Sequence, residues 1–241
     1  MKTPEEQQAF FQKHWPALLE AAQESPDAAA AFVAKFTDPL ERRVLYFFSR
    51  PGLVFEDWKG KNLDTIVGVA RHGIQEFVAQ SEVATDEETT LRLTDLANVM
   101  SYNLAADLAD CWEDGLERGT SHFEAGLAAA DDCVRWRDSL GKGAGPKSMA
   151  WWAKGMHELS LGHTDAAEAS WRRSLEYAEE AADADDDFGV VLGRGYVGLA
   201  EWVGGQAEGR ARWQAACDIF REQLKDEAKK GDAQVGLDQL E

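Results

Sequence analysis

The sequence has few cysteines and no long apolar run. Only three of its 241 residues are cysteine, Cys111, Cys133 and Cys217, and no two of them form a CxxC pair. An odd number of widely separated cysteines excludes a disulfide framework and is typical of a protein in a reducing compartment. No segment reaches the roughly 20 apolar residues that a membrane-spanning helix needs, and the first residues lack the apolar core of a secretory signal. We therefore expect a soluble, cytoplasmic protein.

Positive charge is also scarce. The chain has 25 lysines and arginines against 44 aspartates and glutamates, for a formal net charge of −19. Because nucleic-acid affinity depends on basic residues that displace counterions from phosphates, a nucleic-acid partner is excluded. An anionic membrane surface is disfavoured for the same reason. Proteins or peptides remain as partners, basic ones in particular.

Signatures of catalysis and of metal binding are missing. The five histidines are scattered, with no HExxH motif and no pair four residues apart, so no zinc site is predicted. No GxSxG nucleophile elbow occurs. The acidic run 183–187 lacks the glycine and the glutamate that complete a calcium loop. We expect a protein without catalytic activity, metal or cofactor.

One motif imitates a nucleotide-binding turn. Gly193-Arg194-Gly195-Tyr196-Val197-Gly198 has the GxGxxG spacing of a dinucleotide-binding loop. That loop needs a strand before it and further parallel strands around it, and the residues that follow have helical composition. We interpret the three glycines as positions of close packing inside a helix, at a cost of about 1 kcal/mol each relative to alanine.

Helix signals occupy most of the chain. Capping residues followed by proline or acidic residues occur at Thr3, Ser25, Asp38 and Thr85, and apolar residues recur at intervals of three and four, as on one face of a helix. The predicted helices lie near 4–24, 27–36, 39–49, 62–81, 86–117, 120–140, 147–160, 165–183, 188–204 and 206–229, with a tail helix near 232–240. The predicted loops are 50–61, 141–146 and 183–187.

An internal repeat organises the second half. Gly162 and Trp171 recur 42 residues later as Gly204 and Trp213, and Gly119 precedes Gly162 by a similar interval. A fixed period between about 20 and 50 residues is typical of a helical solenoid.

The best-matching part, 150–214, resembles the tetratricopeptide repeat. Its tryptophan, small and aromatic positions follow the spacing of that family, at Trp151, Gly155, Gly162, Ala167 and Trp171. The sequence departs from the family in lacking the closing proline and in a period longer than about 34 residues. The resemblance implies an all-α, right-handed superhelix of stacked antiparallel hairpins, about ten helices in total. We expect an N-terminal helical segment (1–85) packed on the array (86–241), as one continuous domain.

The resemblance also implies a binding groove on the first helices of the hairpins. We predict that its residues are Trp152, Met156, Leu159, Arg194, Glu201 and Trp202, since Trp, Met and Arg are enriched at interface cores. Burial of these side chains in the core is the competing interpretation. The predicted function is non-catalytic binding of a protein or peptide at an acidic surface. Two alternatives stay open: a homodimer or larger homo-oligomer formed through the Trp-rich face, and a small-ligand binder or enzyme with a site in the helical core.

Overall fold

A computed structural model describes residues 3–241, and all regular structure in that range is helical, which confirms the predicted all-α class. The eleven helices are α1 (Pro4–Glu24), α2 (Pro26–Val33), α3 (Pro39–Phe55), α4 (Leu63–Glu82), α5 (Glu87–Leu108), α6 (Thr120–Ser139), α7 (Ala144–Ser160), α8 (Thr164–Ala181), α9 (Phe188–Val203), α10 (Ala207–Gln223) and α11 (Lys230–Leu240).

The chain divides into two compact units, with the boundary between Asp107 and Leu108. The first unit ends at Asp107 and the second comprises Leu108–Glu241. In the first unit α1 packs on α2 and α3, and α4 packs on α2 and α3. Its core contains fully buried Leu18, Leu45 and Phe77.

The predicted helix starts in the first unit are confirmed by their caps. Ser25 Oγ accepts the Ala28 N–H at 3.0 Å, and an Asp38 carboxylate oxygen accepts the Leu40 N–H at 2.8 Å. Each cap satisfies one of the backbone donors that the first turn of a helix leaves free.

Helix α3 continues beyond its predicted end because later residues hold its last turn. It was expected to stop before Arg50, yet it runs through Pro51 to Phe55. The Trp58 indole donates to the Leu53 carbonyl at 3.0 Å, and Lys61 Nζ donates to the Val54 carbonyl at 2.6 Å. These bonds satisfy carbonyls that the end of a helix leaves without intrahelical donors.

Helix α5 ends earlier than predicted, at Leu108 instead of near residue 117. An Asp114 carboxylate oxygen accepts the Leu116 N–H at 3.0 Å, and Gly115 has a left-handed φ of 71°. This Asp-Gly turn competes with helix, as short acidic side chains and glycine commonly do.

The second unit is a run of helices packed in neighbouring pairs, α6 on α7, α7 on α8, α8 on α9 and α9 on α10, with α11 on α9 and α10. The turns after α7 and α9 are alike. Gly162 and Gly205 have φ values of 79° and 86°. Each next residue donates back to a glutamate carbonyl at 2.8 Å, His163 to Glu158 and Gln206 to Glu201. The turns that end α7 and α9 are therefore alike and lie 43 residues apart in the sequence.

The glycines of the GxGxxG motif lie inside α9 as packing positions, which confirms that interpretation. A Cβ on Gly195 would lie 2.5 Å from Leu240 Cδ1, and one on Gly198 would lie 2.5 Å from the backbone nitrogen of Trp213. Trp171 is buried, with 1% exposed, and it covers Gly155. Small residues therefore allow close contact between neighbouring helices.

Candidate functional site

The six residues predicted to line a groove have different environments. Met156 (7% exposed) and Glu201 are buried, and Trp152, Leu159 and Arg194 are half-buried. Trp202 alone among the six is exposed, at 41%. Trp152, Met156 and Leu159 pack in the apolar cluster of the second unit, so that the six do not form one open strip.

Arg194 hydrogen-bonds to α8 and to the acidic turn that precedes α9. Its guanidinium donates to the Asp185 carbonyl at 3.0 Å and to a Glu179 carboxylate oxygen at 3.3 Å. The arginine therefore holds the turn between α8 and α9 against the end of α8.

Glu201 joins three helices through its carboxylate. Arg172 of α8 donates to Oε1 at 2.6 Å, and Arg212 of α10 donates to the same oxygen. Arg172 also pairs with Glu168 at 2.8 Å. The side chain of Glu201 is 5% exposed, so this pair of arginines compensates a charge that would be costly to bury alone.

A ladder of three side chains stands on the surface beside this carboxylate. The Trp202 and Trp213 rings lie 5.5 Å apart between centroids, and the Arg210 guanidinium lies 5.4 Å from the Trp202 ring centroid. The orientation of Trp213 is set by α11, because its indole N–H donates to the Leu240 carbonyl at 2.9 Å. The next residue after Trp202, Val203, is 57% exposed. We call Trp202, Arg210 and Trp213 the tryptophan ladder.

Carboxylates stand at the same end of the hairpins. Asp165 and Glu208 are exposed in the first turns of α8 and α10. The two turns are neighbours, since the Gln206 amide donates to a Glu168 carboxylate oxygen at 3.1 Å. The exposed carboxylates and the arginines Arg172, Arg210 and Arg212 therefore lie near the same ends of α8 and α10.

A second set of polar groups lies inside the unit around Tyr196. Its hydroxyl donates to the Gln239 carbonyl at 3.3 Å, and its ring lies 6.5 Å from that of Trp152. Burial raises the pKa of Tyr196 well above its ordinary value because the phenolate would lose hydration. Burial also raises the pKa of the nearby Cys111 thiol to about 12. Both groups are neutral at physiological pH.

The described residues contain no group of three or more His, Cys, Asp or Glu side chains placed to hold a metal ion. No helix among residues 3–241 combines the length and the hydropathy needed to cross a bilayer.

Neither a protein-family model nor any curated protein matches this sequence. The tetratricopeptide resemblance therefore depends on the residue pattern and on the paired helices.

Arg210 was not predicted as a site residue, and Trp213 was recognised only as the recurrence of Trp171. A signal was available, since Arg210 lies three residues before Trp213 on the same helix, but the pairing with Trp202 depends on the turn between α9 and α10. Cys111 was also not predicted beside Tyr196, because the pattern did not locate where the long span 86–117 leaves the helix, which is at Leu108.

Proposed function

We propose that this protein is a non-catalytic binder of proteins or peptides whose second unit is a divergent tetratricopeptide-like array. The exposed tryptophan ladder carries the proposal. A tryptophan that is 41% exposed and lies against an arginine and a second tryptophan has the composition of interface hot spots.

The charge of the chain supports a basic partner. At a net charge of −19, long-range attraction accelerates the association of cations and weakens with added salt. The ladder supplies apolar contact, and the exposed carboxylates Asp165 and Glu208 supply charge at its edge. Arg210 covers one ring, so that a partner either stacks on it or takes its place on the indole.

The test compares proteins captured from native lysate by the wild type, by Trp202→Ala and by Phe55→Ala. Phe55 is the matched control, because it is a 68% exposed aromatic that also carries an arginine, Arg50, over its ring. We expect a purified captured partner to bind Trp202→Ala at least about tenfold more weakly than wild type, with Phe55→Ala unchanged. Equal losses in the two variants, or none, would contradict the assignment.

Self-association through the same surface is the second candidate, favoured by the adjacent exposure of Trp202 and Val203. Light scattering over a range of concentrations distinguishes the two. A mass that doubles for the wild type and stays monomeric for Trp202→Ala supports the homodimer, whereas a monomer at all concentrations excludes it.

A further inference from the structure

A small cleft opens to solvent in the first unit, among α2, α3 and α4. Its volume is about 200 Å³, the space of about seven water molecules. Three apolar and three polar residues line it: Ala30, Val33, Ala34, Arg42, Tyr46 and Glu76. We call it the Tyr46 cleft.

Helix geometry brings the three polar residues together. Arg42 and Tyr46 are four residues apart on α3, so they lie on one face of that helix. Tyr46 packs on α4 at Gly73, where an added Cβ would lie 3.0 Å from the Tyr46 Cβ. Glu76 lies one turn further along α4 and pairs with Arg42, with Nε 2.7 Å from Oε1.

The Arg42 guanidinium is fixed by the chain itself. Besides the bond from Nε to Glu76, Nη1 donates to the carbonyls of Phe36 and Thr37 at 3.0 and 3.3 Å. The remaining nitrogen, Nη2, has no partner among residues 3–241. A guanidinium held in place before a ligand arrives binds at a lower entropic cost.

Glu76 likewise uses only half of its carboxylate. Oε1 accepts from Arg42 Nε and from the Gln80 amide. Within the described part of the chain, no hydrogen bond or ion pair ends on Oε2. An anionic acceptor with unused capacity therefore stands beside the free nitrogen of Arg42.

Tyr46 is 5% exposed, yet its hydroxyl makes no hydrogen bond to any residue from 3 to 241. Buried polar groups almost always have a partner, so this hydroxyl marks a position where the partner comes from the cleft. Burial and the Glu76 carboxylate raise the pKa of Tyr46 to about 12. The hydroxyl is therefore protonated and able to donate at physiological pH.

The unused groups define the chemistry of a ligand. Two donors, Arg42 Nη2 and the Tyr46 hydroxyl, suit a carboxylate, and Glu76 Oε2 suits an ammonium group. Both kinds of bond are charge-assisted and stronger than neutral ones. The charges of Arg42 and Glu76 cancel, so that a zwitterion matches the lining better than an ion of either sign. The alanines and Val33 leave an apolar wall for a short side chain.

We propose that the Tyr46 cleft binds a free α-amino acid with a short apolar side chain, with its carboxylate on Arg42 and Tyr46 and its ammonium group on Glu76. The cleft belongs to the first unit and the tryptophan ladder to the second, so the two proposals fail independently.

The test is an NMR titration of the full, isotope-labelled chain. The probes are L-valine, N-acetyl-L-valine, which lacks the ammonium group, and L-valinamide, which lacks the carboxylate. The variant is Tyr46→Phe, which keeps the ring. The control is Tyr177→Phe, because the Tyr177 hydroxyl lies in the second unit and accepts from Arg173 at 3.0 Å.

We expect L-valine to shift amides of residues 30–46 and 73–80 to saturation. N-acetyl-L-valine and L-valinamide should each bind at least about tenfold more weakly, because each lacks one charge-assisted bond. Tyr46→Phe should bind L-valine at least about tenfold more weakly, since it loses a hydrogen bond to a charged group. Tyr177→Phe should bind L-valine as the wild type does.

The proposal is overturned if L-valine does not saturate, or if the three probes bind equally, which would show apolar contact alone. Equal binding of L-valine by Tyr46→Phe and the wild type would also overturn it. Urea unfolding without ligand gives an independent check. Tyr46→Phe should be as stable as the wild type, because the hydroxyl has no partner in the chain, and a clear loss of stability would show that it has one and contradict the proposal.

Discussion

The crossing of α9 and α10 at Gly198 gives the sharpest test of the fold. A Cβ at this position would lie 2.5 Å from the Trp213 nitrogen and 2.8 Å from the Gly209 carbonyl oxygen. Both neighbours are backbone atoms, which cannot turn aside as a flexible side chain does. Gly198→Ala must therefore push α10 away from α9.

The expected magnitude follows from two opposing effects. Overpacking a close contact costs about 1–3 kcal/mol, and more where nothing relaxes, whereas replacing glycine by alanine inside a helix returns about 1 kcal/mol. We expect a net loss of about 2 kcal/mol in the free energy of unfolding, or a fall of about 4–8 °C in Tm for a chain of this size.

Urea unfolding followed by circular dichroism measures this loss. The matched control is Gly189→Ala on the same helix, where the new Cβ would meet only the Ala178 Cβ, at 3.6 Å. That variant should be as stable as the wild type or more so, by up to about 1 kcal/mol. If Gly198→Ala unfolds at the same urea concentration as Gly189→Ala, the close crossing of the two helices is wrong.

Three further predictions concern buried polar groups. Glu201→Gln should lower the free energy of unfolding by about 1–2 kcal/mol in urea titrations. The loss is smaller than that for breaking a fully buried ion pair, because Arg172 and Arg212 are nearly half exposed. An unchanged midpoint refutes this. Burial raises the pKa of Glu158 despite the Ser170 hydroxyl that donates to it, so the folded state favours the protonated form and loses stability as the pH rises through that pKa. Glu158→Gln should therefore exceed the wild type in stability at pH 7 and converge with it in acid; a gap that widens in acid contradicts the sign. Burial raises the pKa of Cys111 to about 12, so mass spectrometry should show its alkylation at pH 8 to be much slower in folded than in urea-unfolded chain, and equal rates would be inconsistent with its burial.

Most helices could be predicted because their signals are local. A cap at Ser25 or Asp38 and an apolar stripe along α4 involve neighbouring residues, and the observed helix bounds follow them. The two clear errors are the ends of α3 and α5. The end of α5 precedes a local Asp114-Gly115 turn, whereas the end of α3 depends on partners several residues away. Trp58 and Lys61 extend α3 by donating to its last carbonyls. The spacing of apolar residues gives no information about such bonds.

The candidate site was less predictable because exposure depends on tertiary packing. Met156 and Trp202 both occupy first helices of the hairpins and have similar hydrophobic character, yet one is buried and the other is on the surface. Met156 packs in the apolar cluster of the second unit together with Leu192 and Tyr196 of α9. The position at which the span 86–117 leaves the helix, Leu108, was the missing information.

The left-handed glycines that close α7 and α9 have a consequence for chemical synthesis. At φ values of 79° and 86°, Gly162 and Gly205 adopt a backbone conformation that suits a D-amino acid, whose mirror-image stereochemistry prefers positive φ. D-alanine at either position restricts the unfolded chain without strain in the folded one, for a gain of up to about 1 kcal/mol. A semisynthetic protein assembled from ligated fragments could therefore carry two stabilising residues that no ribosome inserts.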